Sequence, residues 1–206
     1  MTNRGRTDRS GRIANFKSGA WATTSQDLLF VVSKLFHQSR TEASHKSDKN
    51  SSGFVYAGIP LLLAAVWSFA VEYEGIQRTG GLPPELSGDS LTKLMETRYG
   101  VSGDLLDDLR DLMEIRNEIL HPVPLPTGTP DNWPDYLRRV KQKGLLTTSG
   151  APNCDYVMLG QIASHRLFVW AVDVTKSLYR AIVYSNPAKV QMFQVYLDYN
   201  FNGFFS

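Results

Sequence analysis

An arginine and a histidine five positions apart, Arg116 and His121, close a helical run, with Asn117 beside the arginine and Pro122 directly after the histidine. These residue types can bind a phosphate and move a proton without a metal. A guanidinium presents a planar fork of donors that matches a phosphate bidentately. An imidazole is the side chain whose ordinary pKa lies nearest neutrality. RNA cleavage through the 2′-hydroxyl requires both tasks. A neutral histidine takes the 2′-hydroxyl proton while the arginine holds the scissile phosphate and stabilises charge on the phosphorane-like transition state. A protonated histidine then serves the leaving 5′-oxygen, and the products are a 2′,3′-cyclic phosphate and a 5′-hydroxyl. One chain offers one histidine of this kind, so a two-fold dimer would supply both.

The spacing has a geometric condition. On a straight helix five residues rotate a side chain by about 140°, which would point Arg116 and His121 apart. The residue before a proline is pushed out of the α region, so the helix should unwind at His121 and free its imidazole to swing back toward Arg116 or toward a second copy. Asn117, four residues before His121, can reach the same helix end. The helix itself should open at Ser102, with Asp104, Asp107 and Asp108 as acids in its first turn. Leu105, Leu109, Leu112 and Ile119 form an apolar stripe, and Arg116 fills the vacant position on it. A charge there is costly unless it is paired, with Glu72 or Glu74 for instance, or lines a site.

The elements around this helix read as helical. Residues 1–20 form a disordered basic arm. Ser25 caps a first helix with Leu28, Leu29, Val32, Leu35 and Phe36 on one face, and residues 38–53 are a polar linker. A buried helix runs from about Tyr56 to Gln77 and stops in the Thr79–Pro84 cluster. The charge-free run 53–71 is about long enough to span a bilayer. A central bundle helix has the same character and is the preferred reading, since no second span or aromatic belt accompanies it. A short helix is expected near Ser90–Met95. Residues 122–155 form a Pro-rich loop containing a short basic helix, Trp133 to Lys143, stopped by Gly144. Asp155 should cap a final long helix carrying Leu159, Ala163, Leu167, Trp170, Val174, Leu178 and Ala181, with His165 on its polar side. The period of the segment after Asn186-Pro187 is ambiguous between helix and strand. The fold class is all-α, an up-and-down helical bundle, with a domain over 21–185 and an aromatic-rich packing or dimerisation segment over 186–206.

Composition excludes several function classes. A formal net charge of +2 is too small for a strongly basic nucleic-acid binder, although nine Lys/Arg against four acids in residues 1–50 concentrate positive charge there. Cys154 is the sole cysteine, so neither an intrachain disulfide nor a cysteine cluster for metal is possible, which fits a reducing cytoplasm. His37, His45, His121 and His165 lack metal-ligand spacing, and no glycine loop suited to a phosphate occurs. No metal, cofactor or membrane is expected. Arg138, Arg139 and Lys141, with Lys143, are candidates for guiding RNA, though a charged helix face has the same composition. The aromatics Phe193, Tyr196, Tyr199, Phe201, Phe204 and Phe205 suit packing better than base stacking.

The Arg116-Asn117-x-x-x-His121 motif at a helix end, after the helix PLLLAAVWSFAVEYEG, resembles the HEPN domains (higher eukaryotes and prokaryotes nucleotide-binding). Arg116 and His121 fall on the family's hallmark positions and Asn117 on the polar residue that often follows the arginine; the looser likeness covers about 25–185. The resemblance implies a helical domain that dimerises to build one metal-independent endoribonuclease site, acting as a toxin or in defence against phage beside an antitoxin or sensor protein. Some members carry a tyrosine two residues after the histidine that a partner enzyme modifies, and this chain has Val123 there. The rival reading is a non-catalytic module of the same fold, used for dimerisation or nucleotide binding.

Overall fold

The computed structural model describes residues 24–46, 53–77, 90–127, 132–147 and 155–206; the readings for residues 1–20, the Thr79–Pro84 stop and Cys154 lie outside them. Among the described residues there are eight α-helices: α1 Thr24–Lys46, α2 Gly53–Gln77, α3 Leu91–Tyr99, α4 Gly103–Leu120, α5 Asp135–Gln142, α6 Leu159–Ile162, α7 His165–Tyr184 and α8 Val190–Phe204. Two short antiparallel strands, β1 Leu125–Pro126 and β2 Tyr156–Val157, make the one small sheet described. The fold is all-α.

Helix α2 is central because nothing in its first nineteen residues needs water. It packs along α1 and α7, and buries Val55, Ile59, Leu62, Val66, Phe69 and Tyr73. By length and composition it is also apolar enough to cross a membrane. Specific contacts fix the helix directions. Ser25, at the start of α1, donates to Glu72 near the end of α2 at 2.6 Å, so α1 and α2 are antiparallel. Gly58 lies against Phe168, and Phe69 stacks on Tyr179 at 4.2 Å, so α2 and α7 are parallel. Tyr184 meets Gln194 and Lys176 meets Asn202, which sets α8 antiparallel to α7. A parallel α2–α7 pair needs a long crossover. That crossover is α3 to α6, and it carries the motif helix.

Several local expectations change in the fold. Helix α1 runs through most of the expected linker, to Lys46. Thr41 and Ser44 return their hydroxyls to the carbonyls of His37 and Thr41 at 2.9 and 2.7 Å, and Ser39 is buried against His165. Local polarity therefore gives way to tertiary contact. Ser25 sits inside the first turn of α1 and binds the Glu72 carboxylate and the Tyr196 hydroxyl, at 2.6 and 2.9 Å.

The last helical stretch is interrupted. Asp155 precedes β2, α6 ends at Ala163 in extended backbone, and Ser164 starts α7 by accepting from the Leu167 N–H at 3.3 Å. Restarting the helix there changes which face is buried. His165 is half-buried, with Nδ1 3.0 Å from the Ser39 hydroxyl and its ring 5.0 Å from that of Phe36, not on a solvated face. Segment 186–206 is helical beyond a short 3-10 turn, and it inserts Phe193, Leu197 and Phe201 into the shared core. The β1–β2 pair, unforeseen because two residues carry no period, ties the two ends of the Pro-rich excursion together through Leu125 opposite Val157.

A candidate active site at the end of helix α4

Gly100, in the turn before helix α4, and Gly103, its first residue, take φ values of +67° and +59°, a region open to glycine at little cost. Ser102 takes the N-cap position but makes no side-chain capping bond, and only Asp104 lies in the first turn. The buried face is Leu106, Leu109, Asp111, Leu112 and Ile115. That face is rotated from the expected stripe, because α4 packs on α2 and α7 on one side and on α5 on another. Leu105, Arg116 and Ile119 thus line its half-buried margin.

Arg116 donates from Nη1 to Asn117 Oδ1 at 3.1 Å. Among the described residues no acid pairs with it. The acids that might have done so are engaged elsewhere: Glu72 with Ser25, and Glu74 with Arg98 at 2.9 and 2.8 Å and with the Tyr99 hydroxyl at 3.2 Å. Burial, reinforced by the Glu74 charge, holds the Tyr99 hydroxyl far above its ordinary range.

His121 ends the helix as Pro122 dictates. Its backbone, at φ −133° and ψ 68°, has left the α region, while its N–H still donates to the Asn117 carbonyl at 2.8 Å. The imidazole is exposed and, among the described residues, forms no hydrogen bond to Arg116 or Asn117. The chain thus brings Arg116 and Asn117 together and leaves His121 presented to solvent beside them in sequence. Leu120 and Val123 flank it at 47% and 55% exposure.

Helix α5 lies against α4 through ion pairs. Buried Asp111 receives Arg139, whose Nε is 3.1 Å from both carboxylate oxygens. The hydrogen bond to Asp111 raises the Arg139 pKa. Lys143 pairs with Asp108. Of the four residues expected to guide RNA, Arg139 and Lys143 are thus tied to the fold. Arg138 pairs with Asp135 and holds that carboxyl below its usual range, and Lys141 lies 5.0 Å over the Trp133 ring. Both are exposed.

Sequence reasoning passed over Glu118. Its Oε1 accepts the Val123 N–H at 2.6 Å and its Oε2 accepts the Tyr136 hydroxyl at 3.2 Å. Burial first, and then the Glu118 charge, raise the hydroxyl pKa of both Tyr136 and Tyr56. The available signal was an acid in the last turn of a helix, where the dipole disfavours negative charge. Among the described residues no group of His, Cys, Asp and Glu is arranged to hold a metal ion. Comparison of the chain with family models, with curated proteins and with solved structures finds no match.

Proposed function

We propose that this chain is a metal-independent endoribonuclease of HEPN type, acting as a toxin or anti-phage effector, with Arg116, Asn117 and His121 in a site shared by two copies. The observation that carries the reading is a half-buried arginine with no acid partner among the described residues, beside an exposed histidine that a proline has released from the helix. In the reaction the 2′-oxygen bonds to phosphorus and the P–O5′ bond breaks. One imidazole takes the 2′-hydroxyl proton, and the imidazolium of the other copy gives a proton to the departing 5′-oxygen. Arg116 binds the non-bridging oxygens, and Asn117 orients the guanidinium through its 3.1 Å contact.

The test is to incubate purified protein with RNA and with DNA of the same sequence in EDTA, and to analyse the ends formed. RNA cleavage to 2′,3′-cyclic phosphate ends is expected, with DNA intact. A strict need for divalent ions, or equal cleavage of DNA, would rule the mechanism out. His121→Ala should lose about 10²–10⁴-fold in rate while remaining folded. The shared site is tested with differently tagged subunits: a wild-type/His121→Ala mixed dimer should be nearly inactive, and half the wild-type turnover would mean that each chain works alone.

A second reading is favoured by the apolar side chains beside the motif. Exposed Leu120 and Val123 suit a dimerisation or nucleotide-binding module that does no chemistry. A stable dimer that leaves RNA intact in EDTA would select it.

A further inference from the structure

The turn that carries His121 is held from two sides. Its own N–H donates to the Asn117 carbonyl at 2.8 Å, and the Val123 N–H, two residues on, donates to Glu118 Oε1 at 2.6 Å. Between these bonds stands Pro122, with no N–H to offer. The Glu118 carboxylate is itself held, because Oε2 accepts the Tyr136 hydroxyl from α5 at 3.2 Å. Helix α5 is anchored in turn by Arg139 on buried Asp111 and by Lys143 on Asp108. A continuous chain of contacts therefore runs from a buried acid in the middle of α4, through α5, back to the backbone that aims the imidazole.

A glutamate is an unfavourable choice at this position unless its charge has a use. The last turn of α4 exposes carbonyl oxygens, carries no basic residue, and is the negative end of the helix dipole. Only a side chain of about this length can fold back from Glu118 to an N–H five residues ahead while leaving its second oxygen for Tyr136. Serine and threonine are too short, and lysine and arginine cannot accept a hydrogen bond.

We infer that Glu118, braced by Tyr136, is the positioning residue of the site: it fixes the backbone of the His121–Val123 turn and so the point from which the imidazole is presented. The inference rests on the nuclease reading for the reaction it serves. Both of its carboxylate oxygens are engaged by protein donors, so Glu118 acts through His121. General acid–base catalysis depends on the imidazole lying within hydrogen-bond reach of the proton it moves, so a loosened turn lowers turnover far more than RNA affinity.

Glu118→Ala, Glu118→Gln and Tyr136→Phe separate positioning from bulk stability. The first readout, independent of RNA, is hydrogen exchange at the Val123 amide. It should be protected in the wild type, exchange at least tenfold faster in Glu118→Ala, and stay largely protected in Glu118→Gln, whose amide oxygen still accepts. The second is turnover in EDTA: Glu118→Ala should lose roughly tenfold or more in kcat with KM within about twofold, Glu118→Gln should recover most of it, and Tyr136→Phe should fall between. Wild-type exchange at Val123 in Glu118→Ala would overturn the clamp. Loss of protection with unchanged kcat would overturn positioning while leaving the nuclease reading intact. A protected Val123 amide in a wild type that does not cleave RNA would overturn the nuclease reading and, with it, any positioning role, leaving Glu118 as a stabilising contact alone.

Discussion

Replacing Gly58 by alanine puts a methyl group into the closest part of the α2–α7 contact. A Cβ built there lies 2.1 Å from Phe168 Cζ, and 2.7 and 2.9 Å from Cε2 and Cε1, whereas ordinary contact begins near 3.4 Å. The ring must therefore retreat by more than an ångström. It has nowhere to go, since Phe168 is fully buried and the Phe36 ring stands 5.4 Å away, edge to face. Two effects oppose each other. Alanine in place of a mid-helix glycine stabilises by about 1 kcal/mol, and overpacking a core destabilises by about 1–3 kcal/mol. With three ring atoms in conflict the second should sit at the top of its range, so the net loss is about 2 kcal/mol. Urea unfolding followed by helical circular dichroism reads this out. With a slope of roughly 2 kcal/mol per molar, the midpoint should fall by about 1 M. Phe168→Leu in the same background should restore part of the loss, and the pair should couple by about 1–2 kcal/mol. If Gly58→Ala proves as stable as the wild type or more so, the close approach of the two helices, and the parallel pairing it supports, are wrong.

Arg116→Lys should lose much of the RNA cleavage despite keeping its charge, because an ammonium cannot make the bidentate phosphate contact; near-normal turnover would reduce Arg116 to a point charge. Arg139→Ala leaves the Asp111 carboxylate buried without its partner and should destabilise by about 1–3 kcal/mol, below the figure for a fully buried pair because the arginine is half exposed; an unchanged urea midpoint would remove the α4–α5 anchor. Cleavage should follow a bell-shaped pH profile, since one imidazole must be neutral and the other charged, and a rate rising smoothly through alkaline pH would argue against a histidine acid. Stability should decline in alkali. The Tyr99 and Tyr179 hydroxyls are pushed above the usual tyrosine value, mainly by burial, so the folded chain keeps protons that the unfolded chain releases. Their contribution is complete below pH ~10 and is lost above it by about 1.4 kcal/mol per pH unit for each tyrosine, so Tyr99→Phe should flatten the alkaline slope, and an equally steep slope would refute this.

What the sequence determined by itself is what depends on near neighbours along the chain. Pro122 obliges His121 to leave the helix, and it does. The uninterrupted apolar run at 53–71 obliges α2 to be the central helix of this domain or a span, and here it is packed between α1 and α7. Gly144, at φ +70°, ends α5 where its lack of a Cβ allows. The helical class and the adjacency of Arg116 to Asn117 were legible for the same reason. Tertiary structure alone decided which side of each helix faces the core, because that depends on neighbours distant in sequence. An apolar stripe drawn through Leu105, Leu112 and Ile119 places Arg116 at its centre; packing of α5, with Arg139 on Asp111, turns α4 so that Arg116 lies at the margin instead. The same holds for His165, whose half-buried place against Phe36 follows from a helix restarted at Ser164. It holds most of all for Glu118, an ordinary helix glutamate in the sequence, which becomes part of the site only when α5 brings Tyr136 to its second oxygen.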